Sequence, residues 1–107
     1  MAMNEPKFYV DFNEMIEEDL VLLSKTDVKI DSSGTPVMLH ESLFVKIYMD
    51  DVSKEGHPDN LIAEGFVEQN TYGGWSSACK WNCRISKDGI RSESTHPKKY
   101  SSNPEKV

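Results

Sequence analysis

The densest group of side chains with metal-binding chemistry lies between positions 50 and 59. It holds four carboxylates and one imidazole, from Asp50, Asp51, Glu55, His57 and Asp59. Hard cations favour clustered oxygen ligands. The EF-hand calcium loop, however, needs acids at alternate positions and a glutamate at the twelfth, and this segment lacks that spacing. We therefore predict a solvated loop, with no metal site and no cofactor.

The two cysteines, Cys79 and Cys83, are the next candidates for metal-binding chemistry. Together with Trp81 and Ile85 they form an apolar set that alternates with the polar residues Lys80, Asn82, Arg84 and Ser86. This period of two is typical of a strand with one buried face. The Cα atoms of the two cysteines would then lie about 13 Å apart, at roughly 3.3 Å per residue. That is too far for a disulfide, and it does not match the tight turn of a structural zinc site. We predict two reduced thiols that pack in the core.

Nucleophilic catalysis would require a serine such as Ser76 or Ser77 together with His40 and a carboxylate. Residues 74–78 read GWSSA, which does not match the G-x-S-x-G pattern. The two glycine-rich phosphate-binding patterns are also absent. We predict that the protein is not an enzyme. An enzyme whose site forms only on folding is the further alternative, and it would need a deep polar pocket with strongly shifted titrating groups.

Charge is spread unevenly along the 107 residues, whose formal net charge is −6. Residues 1–68 hold 15 acids and five lysines, whereas residues 69–107 hold three acids and seven basic residues. The first part should repel nucleic acid and attract a basic partner, and the last part has the opposite tendency. The sequence therefore predicts two different candidate surfaces.

The first surface is acidic and would steer a basic protein partner; its residues are Glu14, Glu17, Glu18, Asp50, Asp51, Glu55 and Asp59. The second is a basic–aromatic patch of the kind that binds single-stranded nucleic acid; its residues are Tyr72, Trp75, Lys80, Arg84, Lys87 and Arg91. Exposed Trp, Tyr and Arg are also favoured anchors in protein interfaces.

The elements that would position these residues are short strands. Apolar and polar residues alternate over 43–50 and 79–85, and apolar runs occupy 20–23 and 61–67. A turn cluster at 31–36 predicts a hairpin of 27–31 with 37–40. The Asp88–Gly89 pair predicts a second hairpin, in which Lys87 faces Ile90 and a final strand covers 90–94. Residues 13–19 are predicted to form one or two helical turns, capped by Asn13.

The pattern as a whole predicts one all-β, mainly antiparallel domain over residues 7–94. It would be a small six- or seven-stranded barrel or sandwich, with a flexible N-terminus over 1–6 and a mobile polar tail over 95–107. The polar, acidic start of the chain does not resemble a signal peptide, and no apolar run reaches membrane-helix length. We expect a cytoplasmic protein-binding module, with nucleic-acid binding as the alternative and self-association through an edge strand left open.

Overall fold

The computed structural model describes residues 5–95 of the chain. Of the two termini predicted to be flexible, residues 1–4 and 96–107 lie outside the described part. Within it the chain forms nine strands and two short 3-10 turns, at Gly74–Ser76 and Glu93–Thr95. The strands are β1 (Lys7–Tyr9), β2 (Met15–Glu17), β3 (Leu20–Ser24), β4 (Val28–Ile30), β5 (Pro36–Met38), β6 (Phe44–Met49), β7 (Leu61–Gln69), β8 (Trp81–Ile85) and β9 (Arg91–Ser92).

Seven of these strands form one mixed sheet, with the order β1-β6-β7-β8-β3-β2 and with β9 also paired to β7. β1 runs parallel to β6, whereas the other neighbours in this sheet are antiparallel. β4 and β5 form a separate antiparallel sheet. In the described residues no ladder joins β1 to β2, so these two strands are the ends of the large sheet. The fold therefore consists of two separate sheets.

The hydrophobic core lies on one face of the large sheet, at the alternate positions that the sequence predicted. Phe8 of β1, Val45 of β6 and Val67 of β7 are fully buried there. Val37 and Leu39 pack the β4–β5 hairpin against the same core. The prediction of an all-β, mainly antiparallel domain is confirmed. The described residues contain no helix with the length and hydrophobicity needed to span a bilayer.

Residues 13–19 form β2 and a tight turn, so the predicted helical turns are wrong. Glu17 pairs with Leu20, which leaves Glu18 and Asp19 as the two turn residues. Met15 packs against the core, and the backbone N–H of Leu22 donates to Glu14 O at 3.2 Å. The buried strand β3 offers this segment a ladder and an apolar contact, which outweigh its weak helix propensity.

The predicted hairpin at Asp88–Gly89 does not form, although a turn does. The N–H of Gly89 donates to Ser86 O at 2.9 Å, and Gly89 has a φ of 72°. β9 then pairs with β7, where Arg91 faces Ile62, so Lys87 and Ile90 are not cross-strand partners. Because β8 and β9 are both antiparallel to β7, residues 86–90 are a loop between two segments that share one edge of β7.

The predicted hairpin of 27–31 with 37–40 is confirmed as β4 and β5. Asp31 organises its turn, because Oδ1 accepts hydrogen bonds from the Ser33 hydroxyl at 2.7 Å and from the N–H groups of Ser33 and Thr35 at 2.9 Å. These bonds, above all the one from the Ser33 hydroxyl, lower the pKa of Asp31 below its usual value. The N–H of Ser32 donates to Lys7 O at 2.7 Å and ties the turn to β1.

Candidate functional site

The predicted acidic surface is carried by two connections that precede strands of the same direction. β3 and β7 are each antiparallel to β8, so they run in the same direction. Glu17 and Glu18 precede β3, and the loop with Asp50, Asp51, Glu55 and Asp59 precedes β7. The two connections are staggered, because Leu20 is level with Arg84 and Phe66 in the middle of β7, whereas the longer loop lies beyond Leu61. We call these two connections together the acidic end; Glu14, at the other end of β2, is not part of it.

Five of the seven predicted carboxylates are exposed and form no ion pair within residues 5–95. They are Glu14, Glu18, Asp50, Asp51 and Glu55. Glu17 is held by Arg84 at 2.8 Å, and Asp59 accepts hydrogen bonds from the N–H and hydroxyl of Ser94 at 2.9 and 2.8 Å.

The loop that carries four of these acids has an ordered backbone. A bridge joins Val52 to Pro58, and the N–H of Ser53 donates to His57 O at 2.8 Å. The N–H of Asp59 donates to Asp51 O at 2.9 Å. The loop is thus a continuation of the β6–β7 hairpin, and backbone hydrogen bonds hold the residues that carry its carboxylates.

Arg84 stands at the centre of a cluster of three carboxylates. Its Nε and Nη2 donate to the two oxygens of Glu68 at 3.0 and 3.2 Å, and Nη1 donates to Glu17 and to Asp19 at 2.8 Å each. These bonds, with that to Glu68 the largest, raise the pKa of Arg84 above its ordinary value. One guanidinium among three carboxylates leaves the cluster with a net negative charge.

Two further cations of the predicted basic–aromatic patch are also paired. Lys80 Nζ lies 2.8 Å from a carboxylate oxygen of Asp27, which also accepts a hydrogen bond from the Trp81 indole at 3.0 Å. The bond from Lys80, followed by that from Trp81, lowers the pKa of Asp27. Arg91 lies 2.6 Å from Glu64. Within the described residues, Lys87 is the one cation of this patch without an ion pair.

The aromatic members of the patch lie in the loop between β7 and β8. Trp75 is 67% exposed and Tyr72 is also exposed. Asn70 holds this loop, because its Nδ2 donates to Ser76 O and Cys79 O at 2.8 Å each. Its Oδ1 accepts a hydrogen bond from Asn82 at 3.1 Å. Asn82 is buried, although its alternation with the apolar residues predicted a solvent-facing position.

The two thiols are free and buried, and Cys83 belongs to the core as predicted. Burial, with a smaller contribution from Glu68, raises the pKa of Cys83 to about 12. The Cys79 thiol donates to Ser24 O at 3.1 Å. In the described residues, no three His, Cys, Asp or Glu side chains are arranged to hold a metal ion.

A set of aromatic side chains that the sequence did not single out lies on the face of the large sheet opposite the core. Tyr9 and Tyr48 meet edge to face at 5.5 Å, with Lys7 Nζ 5.1 Å from the Tyr48 ring centre. Phe44 and Phe66 pack at 5.1 Å. The pattern at 43–50 contained the signal, because Phe44 and Tyr48 occupy the positions that alternate with the core residues.

Comparisons of the chain with protein-family models, with curated proteins and with solved structures find no match. The function is therefore inferred from the surfaces of the protein itself.

Proposed function

We propose that the protein is a non-enzymatic binding module that recognises a basic protein partner through its acidic end. The observation that carries the proposal is the contrast between the predicted acidic surface, which keeps most of its charges free, and the predicted basic–aromatic patch, in which three of the four cations are paired. Within residues 5–95, five predicted carboxylates are exposed without ion pairs, whereas Lys80, Arg84 and Arg91 are each held by a carboxylate. Residues 5–95 carry 17 acidic and nine basic side chains, a net charge of −8.

Charge of this kind acts mainly on association and on partner choice. A surface of one sign raises the rate at which an oppositely charged partner arrives and repels partners of like sign. The backbone hydrogen bonds of the 50–60 loop add to this effect. Because they already order the backbone, binding a partner costs less conformational entropy there. A basic protein is therefore the ligand class that fits the acidic end best.

The positions of the groups with a displaced pKa support a binding function over a catalytic one. The pKa is displaced at Asp27, Asp31, Cys83 and Arg84. None of these four lines the cavity of about 530 Å³ beside Tyr9 and Ile30. Asp31 lines a second cavity, but its pKa is lowered by the hydrogen bonds of its own turn, whereas an active site would be expected to combine a cavity with groups shifted for chemistry. We also propose that the protein works in the cytoplasm, where its two free cysteines would stay reduced.

The nucleic-acid alternative rests on Tyr72 and Trp75, which are exposed and available for stacking. The ion pairs of Lys80, Arg84 and Arg91 weaken it, because phosphate would have to compete with carboxylates that are already bound. This alternative stays a prediction, and the experiment below separates it from protein binding.

The test is affinity purification of the tagged protein from its native cell, with and without nuclease. The wild type is compared with Glu18→Lys/Asp51→Lys, which changes the acidic end. The control is Glu5→Lys/Glu41→Lys, which makes the same change in net charge at the opposite end of the sheet. We expect a basic protein that survives nuclease, binds the control and associates at least about tenfold more slowly with the acidic-end variant.

Two results would contradict the proposal. A partner that is lost on nuclease treatment would favour the nucleic-acid alternative. Equal association with both double variants would show that overall charge, and not the acidic end, governs binding.

A further inference from the structure

A groove with a volume of about 530 Å³ separates β1 from β4. That volume lies within the range of roughly 300–1,000 Å³ that is usual for ligand sites. Leu22 and Leu23 contribute apolar surface, and Tyr9 and Ile30 line it from β1 and β4. The hydrogen bond from Ser32 N–H to Lys7 O ties the two strands together at one end.

The edge of β4 that faces this groove has unpaired backbone groups. In the β4–β5 hairpin, Leu39 N–H donates to Asp27 O and Asp31 N–H donates to Thr35 O. Because bonded positions alternate along an antiparallel pair, Lys29 is the β4 residue that bonds to β5. The N–H and C=O groups of Val28 and Ile30 therefore point away from β5, and both residues line the groove. Val28 O accepts a hydrogen bond from the Thr26 hydroxyl at 2.8 Å, so the Val28 N–H and the two backbone groups of Ile30 are the ones that face the groove.

The edge of β1 on the other side of the groove is similar. Val10 N–H donates to Tyr48 O, and Lys46 N–H donates to Pro6 O. Residues 6, 8 and 10 therefore bond towards β6, and the backbone of Tyr9 points away from it. Two strand edges thus present free donors and acceptors to one groove.

The hairpin is protected on its other edge but not on this one. Pro36, in β5, lacks an N–H and so blunts the outer edge, a common way for proteins to prevent unwanted strand pairing. β4 has no proline, and two of its three side chains, Val28 and Ile30, are apolar, with Lys29 between them. Val28 is 44% exposed and Ile30 56% exposed, and Met38 continues the same face at 64%.

We propose that the β1–β4 groove binds an extended segment of a partner protein, which pairs with β4 as an added strand. Main-chain hydrogen bonds would supply the affinity, and pockets for alternate side chains would supply the specificity. The segment should be apolar at alternate positions, because one face of the added strand meets Leu22 and Leu23 and the other lies beside Val28 and Ile30. This site is separate from the acidic end, although Glu14, one of the predicted acidic residues, lines the groove.

A second copy of this chain fits the groove less well. In the register that pairs Val28 of one copy with Ile30 of the other, a twofold axis would place Lys29 directly opposite its own copy. Like charges in that position destabilise a strand pair. Both signs of charge line the groove, with Asp11 and Glu14 between β1 and β2, Lys25 between β3 and β4, and Lys29 in β4, so the segment needs no net charge.

The experiment selects binding peptides from a random-peptide phage library and measures them on three proteins. Ile30→Pro removes an outward N–H from the groove edge and leaves the internal hairpin bonds in place. Met38→Pro is the matched control, because it makes the same change on the outer edge of the same hairpin. Circular dichroism and thermal melting verify that both variants fold.

We expect enriched peptides with alternating apolar residues that bind the wild type and Met38→Pro equally and bind Ile30→Pro about tenfold more weakly. N-methylation of the peptide provides a second test that needs no protein variant. Two peptides are made, one methylated at the odd-numbered residues and one at the even-numbered residues. The peptide that loses the N–H groups facing β4 should not bind, whereas the other should still bind. Binding should be unchanged in Glu18→Lys/Asp51→Lys, which separates this proposal from the one for the acidic end.

Three results would overturn the proposal. The first is a selection that enriches no peptide. The second is a set of peptides that bind Ile30→Pro as tightly as the wild type and tolerate methylation at the odd-numbered and at the even-numbered residues. The third is a wild-type dimer, seen by sedimentation, that Ile30→Pro dissociates, because the groove would then be filled by a second copy.

Discussion

Glu68 and Arg84 lie diagonally across the β7–β8 ladder and share two parallel hydrogen bonds, of 3.0 and 3.2 Å. The contact joins the centre of the large sheet to the β2–β3 turn, because the same guanidinium also binds Glu17 and Asp19. The basic residue that seemed suited to a ligand is thus used to hold three strands together.

Arg84→Met should lower the free energy of unfolding by about 1–2 kcal/mol. The substitution keeps most of the side-chain volume but leaves Glu17, Asp19 and Glu68 without their cation. The measurement is urea unfolding, and the loss should shrink at high salt because screening weakens the repulsion among the three acids. Lys80→Met, which breaks one exposed pair with Asp27, should cost less. An equal loss in the two variants would argue against a cooperative cluster.

Asp31→Asn should destabilise the protein at neutral pH but not at low pH. The pKa of Asp31 is lowered in the folded state by its hydrogen bonds, that from Ser33 first. A lowered folded pKa contributes stability above the ordinary value of 3.8, and that stability is lost as pH falls through the folded pKa. Denaturant unfolding at pH 7 and at pH 3 should show the gap between wild type and variant closing at the lower pH. A gap that persists at low pH would contradict this account.

Gly65→Ala should cost roughly 2–4 kcal/mol of stability. A methyl group at this position would overlap the carbonyl of Arg84 and come within 2.9 Å of Cys83 Sγ. Gly73→Ala is the matched control, because nothing lies within 4 Å of the added carbon. Thermal melting of both variants checks the difference, and a mild effect at Gly65 would mean that β7 and β8 can move apart easily.

Cys83 should resist alkylation in the folded protein. Its pKa of about 12 leaves almost no thiolate at pH 8, and the thiolate is the reactive form. Iodoacetamide labelling followed by peptide mass spectrometry should modify Cys83 in denaturant and spare it in buffer. Rapid labelling of the native protein would place this thiol outside the core.

The sequence predicted the strands with strong alternation and the core that they bury. A glycine inside a strand, as at Gly65, is typical of a bulge or of a close backbone approach. The structure shows the close approach, because a Cβ at this position would overlap the Arg84 carbonyl. The prediction failed where strand pairing overrode the local preference or where pairing was decided at long range. Residues 13–19 are rich in glutamate, which favours a helix, but pairing with the partner strand β3 decided the outcome.

The candidate site was predictable only in part, for a related reason. Counting cations along the chain placed Lys80, Arg84 and Arg91 in a basic patch, but their carboxylate partners come from distant segments of the sequence. Asp27 is 53 residues from Lys80, and Glu17 is 67 residues from Arg84. Composition records the charge of each segment, and only the folded pairing shows which charges remain free.

The way β8 and β9 share one edge of β7 has a practical consequence. β8 ends at Ile85 and β9 begins at Arg91, and both pair with the same edge of β7. The loop between them therefore leaves and rejoins that one edge. Extra residues spliced in at this point would project outwards without shifting the pairing of either segment, and closing a longer loop costs little entropy. Residues 87–88 are therefore the natural position for grafting an epitope or a fluorescent reporter.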